Sequence, residues 1–472
     1  MERAEAEVIY EAGREVVVEV LLRMDRQIEQ LGARVDRLER EVRKNSRNSS
    51  QPPSSDRPGG VSSGRPKGRS PRQQGAQPGH GGKGRDLLPA WAVDEVVEHW
   101  PARCDCGHVF CQSERVAVRE PARYQVEELP RLATVVTEHQ CQRVRCPGCG
   151  AERTGDLPAE DAGSAFGPRL QAAVASLAVR NRISRRDTVE LMAELFGARI
   201  CAGSVDQILT RTAGALELPH QDLVRGLRRS GRLNVDETGW RLRGARRTLW
   251  GAFTDRIAVY RIAGDRHEDR ARELLGDSSA IVTSDRWWAY NHLPLARRQI
   301  CWSHLQRDFT AHAEAGGGAE KELGEAGRRV CDEVFWAWEI YQHTGERKEL
   351  KRRIRQLRRE LKPILRQYSG KAPRYKRSRG LARNLLKVWP ALWTFADRRG
   401  VQPTNNHAER SLRGAVIYRK LSLGSQSADG ERRIERLLSA STTCRLQHRS
   451  LFEYLSELLT ANTRGDPLPT LT

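Results

Sequence analysis

The sequence predicts a multidomain α+β protein, and three observations carry that reading. Residues 17–42 place apolar side chains at alternating intervals of four and three, the mark of a long helix with one narrow seam. Residues 86–157 change to short β-like runs around two cysteine pairs. Residues 231–300 alternate strand-like and helix-like runs, with carboxylates at two of the strands. The expected order is an N-terminal coiled-coil helix, a small β module, a helical segment, and an α/β core with a helical insertion.

At 472 residues the chain exceeds one ordinary domain, and about two to four are expected. It carries 81 Lys+Arg against 60 Asp+Glu, a formal net charge of +21, so a polyanion is the default partner. No apolar run approaches the roughly 18 residues that span a membrane. The opening stretch, MERAEAEVIYEAGREV, has early glutamates and no signal-like apolar core. A cytoplasmic protein is expected, and its ten cysteines then read as metal ligands or buried thiols rather than disulfides.

The seam runs Val17, Leu21, Met24, Ile28, Leu31, Val35, Leu38, Val42. Arg, Glu, Asp and Gln lie between, so the stripe needs a partner, and self-pairing is the simplest one. Residues 1–44 are therefore read as a dimerising coiled coil. Residues 45–86 are rich in Ser, Pro and Gly; up to residue 85 they hold eight Arg or Lys and a single acid, Asp56. Such a segment cannot bury enough apolar area to offset its chain entropy, and reads as a disordered basic linker.

Residues 87–160 contain "CDC" (104–106) and "CPGC" (146–149). "CPGCG" has the form of a zinc knuckle, whose glycines let backbone amides turn toward thiolate sulfur. Cys104, Cys106, Cys146 and Cys149 would close a tetrahedral structural Zn²⁺ site. The one-residue spacing of the first pair leaves Cys111, His108 and Cys141 as substitutes for one ligand. Residues 161–228 read as helices. "ISRRDTVELMAELFG" and "GSVDQILTRTAGAL" are entered by serine caps, Ser184 and Ser204, with Gly197 at the turn between them. Two short helices about a glycine turn fit a DNA-binding helix-turn-helix.

Residues 229–430 hold the acids. "GRLNVDETGW" is an apolar run that stops at Asp236-Glu237. Two further β-rich runs, a helix-like "RHEDRARELLG", and the strand of "SSAIVTSDRWWAYN" ending on Asp285 follow. Three consecutive strands, a helix and a strand, with acids at the first strand and after the helix, are the order of an RNase H-like core. Phosphodiester cleavage needs an activated oxygen nucleophile and a stabilised leaving oxygen; two Mg²⁺ ions roughly 3.5–4 Å apart supply both, on hard oxygen ligands. Glu237 competes with Asp236 as ligand, since neighbours on a strand point to opposite faces. The third acid is Glu409, on a helix capped by Thr404 or Asn405 and followed by Arg410, Arg413, Arg419 and Lys420. Between these parts, at about 312–400, lies a helical insertion; residues 347–387 carry 17 Lys or Arg against two acids, which reads as a phosphate-facing surface. Residues 431–472 read as C-terminal helices.

The chain resembles the insertion-sequence-66 transposases. The resemblance rests on the heptad helix, "NSRNSSQPPSSD", the cysteine module, "VDETGWR", "SDRWWAYN", "CWSHLQRDF" and "NNHAERSLR…YRKLSLGS…GER", in that order. It implies a DDE-type transposase with Asp236, Asp285 and Glu409 as the triad on Mg²⁺ or Mn²⁺, and favours Asp236 over Glu237. His304 and Arg307 would position phosphate or buttress the site, and join Arg410, Arg413, Arg419 and Lys420 as DNA-binding residues; Cys301 reads as a core thiol. The implied protein binds double-stranded DNA at terminal inverted repeats, nicks it, and joins the exposed 3′-OH to target. It would be nucleoid-associated, paired through the coiled coil into a homodimer or higher oligomer, with room for accessory transposition proteins. The rivals are an RNase H-like nuclease or resolvase that cuts without joining, and a catalytically inactive DNA-binding regulator.

Overall fold

The computed structural model describes residues 10–42, 86–158, 163–314 and 317–472. The expected linker, apart from Asp86, lies outside the described residues. The chain divides into two compact units, Met1–Ser63 with Val135–Thr472, and Gly64–Thr134. Among the described residues no helix is long and apolar enough to cross a membrane.

The heptad stretch forms one long helix, α1 (Arg14–Val42). Its seam residues Leu21, Ile28, Leu31, Val35 and Leu38 are all exposed. In the smaller unit the chain runs through two 3-10 turns, Ala90–Ala92 and Gln112–Glu114, and a bridge between Arg103 and Val109. The β runs expected there do not form. Val116, Val118 and Val126 stay exposed, without the paired neighbour and covered face that a stable strand needs. In the larger unit, β1 (Arg143–Arg145) and β2 (Glu152–Thr154) make an antiparallel hairpin with "CPGCG" between them.

Four helices follow: α2 (Pro168–Ala175), α3 (Arg185–Phe196), α4 (Ala202–Ala215) and α5 (Glu217–Arg229). Ser184 caps α3 by accepting from the Asp187 amide at 3.2 Å, and Gly197 closes it at φ 63°. The expected cap at Ser204 is corrected to Cys201. The helix already begins at Ala202, so the Ser204 amide lies in the first turn and donates to Cys201 Sγ at 3.4 Å.

The sheet comprises β3 (Arg232–Leu242), β4 (Ala245–Phe253), β5 (Ala258–Ala263), β6 (Ile281–Ser284) and β7 (Arg298–Ile300), with α6 (Glu268–Leu275) between β5 and β6. Its order is β5-β4-β3-β6-β7. The first three strands are antiparallel; β6 runs parallel to β3, and β7 parallel to β6. The long β3 is thus a central strand.

The insertion has a hydrophobic core of its own, from Ile300 to Val401. It is built by α7 (Trp302–Glu314), α8 (Gly318–Thr344), α9 (Arg347–Tyr368), α10 (Arg379–Lys387) and the short α11 (Thr394–Asp397). Leu350, Ile354, Leu357, Leu361 and Leu365 line the buried stripe of α9, and Lys348, Lys351, Arg355 and Arg359 are exposed. The chain then returns to the sheet with α12 (Asn406–Ser422), α13 (Ala428–Leu446) and α14 (Leu451–Arg464).

The segment expected as a helix-turn-helix shares one core with the sheet and with α12–α14. Val205, Ile208, Leu209 and Thr212 bury the apolar face of α4. Its polar edge is tied as well: Asp206 pairs with Arg185 and with Arg433 of α13, and Arg436 reaches the Ala213 carbonyl. Burial on one side and ion pairs on the other hold α4 within this body.

Candidate active site

Side chains alternate along β3, so Asn234, Asp236 and Thr238 share one face and Val235 and Glu237 the other. The first face meets α12: Asn234 donates to Asn405 at 3.0 Å, and Arg419 donates to Thr238 at 3.0 Å. Asp236 therefore looks toward the helix that carries Glu409 in its first turn. On the neighbouring strand, Asn234 is level with Thr283. Two residues on, Asp236 is level with Asp285, just past the end of β6.

Burial pushes the Asp236 carboxyl well above the usual carboxylate range, and the negative charges of Glu237, Asp285 and Glu409 push it further. Its hydrogen bond is from the Glu237 amide at 3.0 Å. Burial also raises Asp285, against the Trp287 amide that donates to Oδ1 at 2.9 Å and the cations Arg266, Arg298 and Arg286. The loop after Asp285 is held by Arg298, whose buried guanidinium donates to the carbonyls of Asp285 (3.1 Å) and Trp287 (3.3 Å). Burial lowers Arg298 to about 10.

Glu237 has a different setting. Its side chain is 2% exposed; Arg266 bonds one oxygen and the Tyr290 hydroxyl the other. Burial first, then Asp285, raises its carboxyl. With both oxygens engaged, Glu237 braces the sheet against the loop that follows Asp285, and Asp236 is the acid left available to a cation.

Glu409 Oε1 lies 3.4 Å from Arg307 and 3.6 Å from His304 Nδ1. Burial, then Arg307 and Arg286, push His304 down to about 3, so the ring is neutral beside the carboxylate. The expected cap at the start of α12 does not form in the usual way. Asn405 occupies the cap position without capping; its side chain bonds Asn234 and donates to the Val235 carbonyl at 2.8 Å. On the next strand Gly251 pairs with Asp236, and a Cβ there would collide with Phe253 and stand 3.2 Å from Leu412 of α12. The missing side chain lets the helix lie close.

The four expected cations of α12 divide. Arg410, Arg413 and Lys420 are exposed, with no ion pair among the described residues. Arg419 is half-buried and donates to Thr238 and the Gly239 carbonyl, so it also fastens α12 to β3. Cys301 is fully buried, as expected of a core thiol, and burial pushes it up to about 11.

Each cysteine pair has its own local geometry. The amides of Cys149 and Gly148 lower the Cys146 thiol, and the Cys106 amide lowers Cys104. Amides aimed at sulfur favour thiolate, the form that binds Zn²⁺. Of the substitutes, His108 is 3.1 Å from Glu114, and Cys111 and Cys141 are exposed.

The sequence pattern described as Transposase IS66 family matches residues 163–433, which include all three acids. The chain belongs to that family. A transposase-type function comes with membership, and the transposase's first residues, 2–86, match a second pattern described as a family of unknown function (DUF6444). Two similar proteins come from Sinorhizobium fredii (strain NBRC 101917 / NGR234). "Uncharacterized protein y4hP" is 24% identical over 425 residues, covering 79% of the transposase and 74% of that protein. "Uncharacterized protein y4qI" is 23% identical over 237 residues, covering 46% of the transposase and 42% of that protein. No solved structure matches.

Proposed function

We propose that this transposase cuts DNA at the ends of its mobile element and joins the exposed 3′-OH to target, with Asp236, Asp285 and Glu409 as its metal-holding triad on an RNase H-like sheet. One observation carries the reading: Asp236 on β3 is held far above its ordinary range by burial and by the charges of its neighbour Glu237, of Asp285 past the end of β6 and of Glu409 in the first turn of α12. Acids crowded in this way are stabilised by divalent cations. Mg²⁺ or Mn²⁺ bound there supplies an activated oxygen nucleophile and a stabilised leaving oxygen.

The protein's own residues do the rest. Asp236 and Asp285 hold the cations from adjacent strands, and Glu409 completes the set from α12. Arg307 fixes the Glu409 carboxylate at 3.4 Å. Arg410, Arg413 and Lys420 line the exposed side of α12 and bind phosphates next to the acids. The exposed bases of α9 extend that contact along the duplex, with the salt dependence that phosphate binding brings. The α1 seam pairs two protomers, so that both element ends are held together. Cys146 and Cys149, at the turn of the β1–β2 hairpin, supply thiolates to a structural Zn²⁺, and this hairpin serves end recognition together with the surface around α3 and α4.

The test uses purified protein and a labelled duplex carrying the element's end, with Mg²⁺ and with EDTA. Metal-dependent joined products are expected. Nicking without joining would give the nuclease reading; binding with no cut strand would give the inactive regulator.

A further inference from the structure

Among the described residues, one compact trio of metal-ligating side chains is Cys301, His304 and Glu409, whose ligand atoms all lie within 4.8 Å of one another. Asp236, Asp285 and Glu409 do not form so tight a group, which suits a pair of cations better than one. The trio is built where β7 runs into α7. Cys301 immediately precedes α7, His304 is in its first turn, and Glu409 reaches in from the first turn of α12.

Three features set it apart from ordinary core packing. The Asn405 amide donates to Cys301 Sγ at 3.1 Å, and the amides of Ser303 and His304 also point at that sulfur. Burial keeps this sulfur protonated when no cation is bound, and three amides already aimed at it are placed to stabilise the thiolate that a cation would create. His304 Nδ1 is buried without a hydrogen-bond partner, and 3.6 Å to Glu409 is too long for one. The donor set is also wrong for Mg²⁺, which takes oxygens, and right for zinc, which takes sulfur, imidazole and carboxylate together. Ligand atoms on a tetrahedral zinc stand about 3.3–3.8 Å apart, given bonds of about 2.0–2.3 Å, so a small contraction completes the site.

We infer that Cys301, His304 and Glu409 form a second cation site, selective for a thiophilic divalent ion such as Zn²⁺ or Cd²⁺, which draws Glu409 away from Asp236 and Asp285. Binding displaces the Cys301 thiol proton to solvent and leaves a fourth position for water. Its effect on the reaction rests on the proposed function above: the ion competes for the third carboxylate of the triad, so the transposase is held inactive while the soft site is filled. Asn405 couples the two sites physically, since its backbone amide bonds Cys301 and its side chain bonds β3.

Co²⁺ is the probe, because a bound thiolate adds a charge-transfer band in the near ultraviolet. Full-length protein, Cys301→Ser, Cys301→Ala and His304→Gln are titrated with Co²⁺, with thermal unfolding as the check on folding. The expected result is one Co²⁺ fewer in each variant, with a wild-type-minus-Cys301→Ala spectrum containing the thiolate band. Identical stoichiometry and spectra in wild type and the folded variants would overturn the site. Cd²⁺ added to Mg²⁺-dependent cleavage should suppress wild type by about tenfold or more and Cys301→Ala far less; equal suppression would overturn the competition. If wild type fails to cut in Mg²⁺ alone, the transposase reading fails, while the Co²⁺ titration still decides the site.

Discussion

The Asn405 side-chain amide donates to the Val235 carbonyl at 2.8 Å, which fastens the helix carrying Glu409 to the strand carrying Asp236. Asn405 is fully buried and also receives Asn234. Asn405→Ala leaves these groups unpaired, at a cost of about 1–3 kcal/mol for each buried polar group left without a partner. Urea unfolding should register that loss, and cleavage should fall because Glu409 is no longer held against β3. Unchanged stability would mean that water replaces the bond.

Burial raises Asp236, Glu237 and Asp285. A carboxyl raised in the folded state contributes stability that is present at low pH and lost as pH climbs through the elevated value, at roughly 1.4 kcal/mol for each pH unit by which folding raises it. Without added Mg²⁺ the unfolding temperature should therefore be lower at about pH 8 than at about pH 5 on account of these acids. Mg²⁺ should raise it more at the higher pH, and Asp236→Asn should flatten both trends. Melting curves of the two proteins with and without Mg²⁺ check this.

Neighbouring acids on β3 should behave differently on substitution. Glu237→Gln disturbs the Arg266 and Tyr290 bonds, so unfolding should show a loss of about 1–3 kcal/mol, reduced by the partial exposure of Arg266. Its cleavage rate should stay within about tenfold of wild type, whereas Asp236→Asn should lose about a thousandfold or more. Reversed sensitivities would make Glu237 the ligand.

The bases of α12 should divide likewise. Arg410→Ala, Arg413→Ala and Lys420→Ala combined should weaken DNA binding and lower the salt slope by about 2–3, with little change in stability. Arg419→Ala should instead lower stability through its lost bonds to Thr238 and Gly239. Filter binding across a salt series, beside thermal melts, separates the two.

Much of this was legible in the chain itself. The apolar runs around Asp236 and Asp285 have strand composition; Asp285 falls just past the end of its strand, whereas β3 runs on through Asp236 to Leu242, further than the apolar run suggested. The seam of α1 and the stripe of α9 follow helical periods that need no tertiary information. The contacts that assemble the site were not legible. Asn405 looks like a helix cap, yet its amide is drawn to Val235, 170 residues earlier in the chain. Arg419 resembles its exposed neighbours, and only the approach of α12 to β3 sets it apart. Gly251 is a glycine within a strand, a pattern that goes with close approach of another backbone or helix, but nothing local says that α12 is what approaches. The helix-turn-helix pattern describes two real helices, but periodicity alone says nothing of what their apolar faces meet.

The central claim is that Asp236 acts on DNA through a bound cation rather than by holding the fold together. Single-turnover cleavage of a labelled element end by Asp236→Asn, beside DNA binding by the same preparation, tests it most directly. The account predicts undiminished binding with cleavage lost. Binding and cleavage lost together would make Asp236 a structural residue, and cleavage retained would remove it from the chemistry.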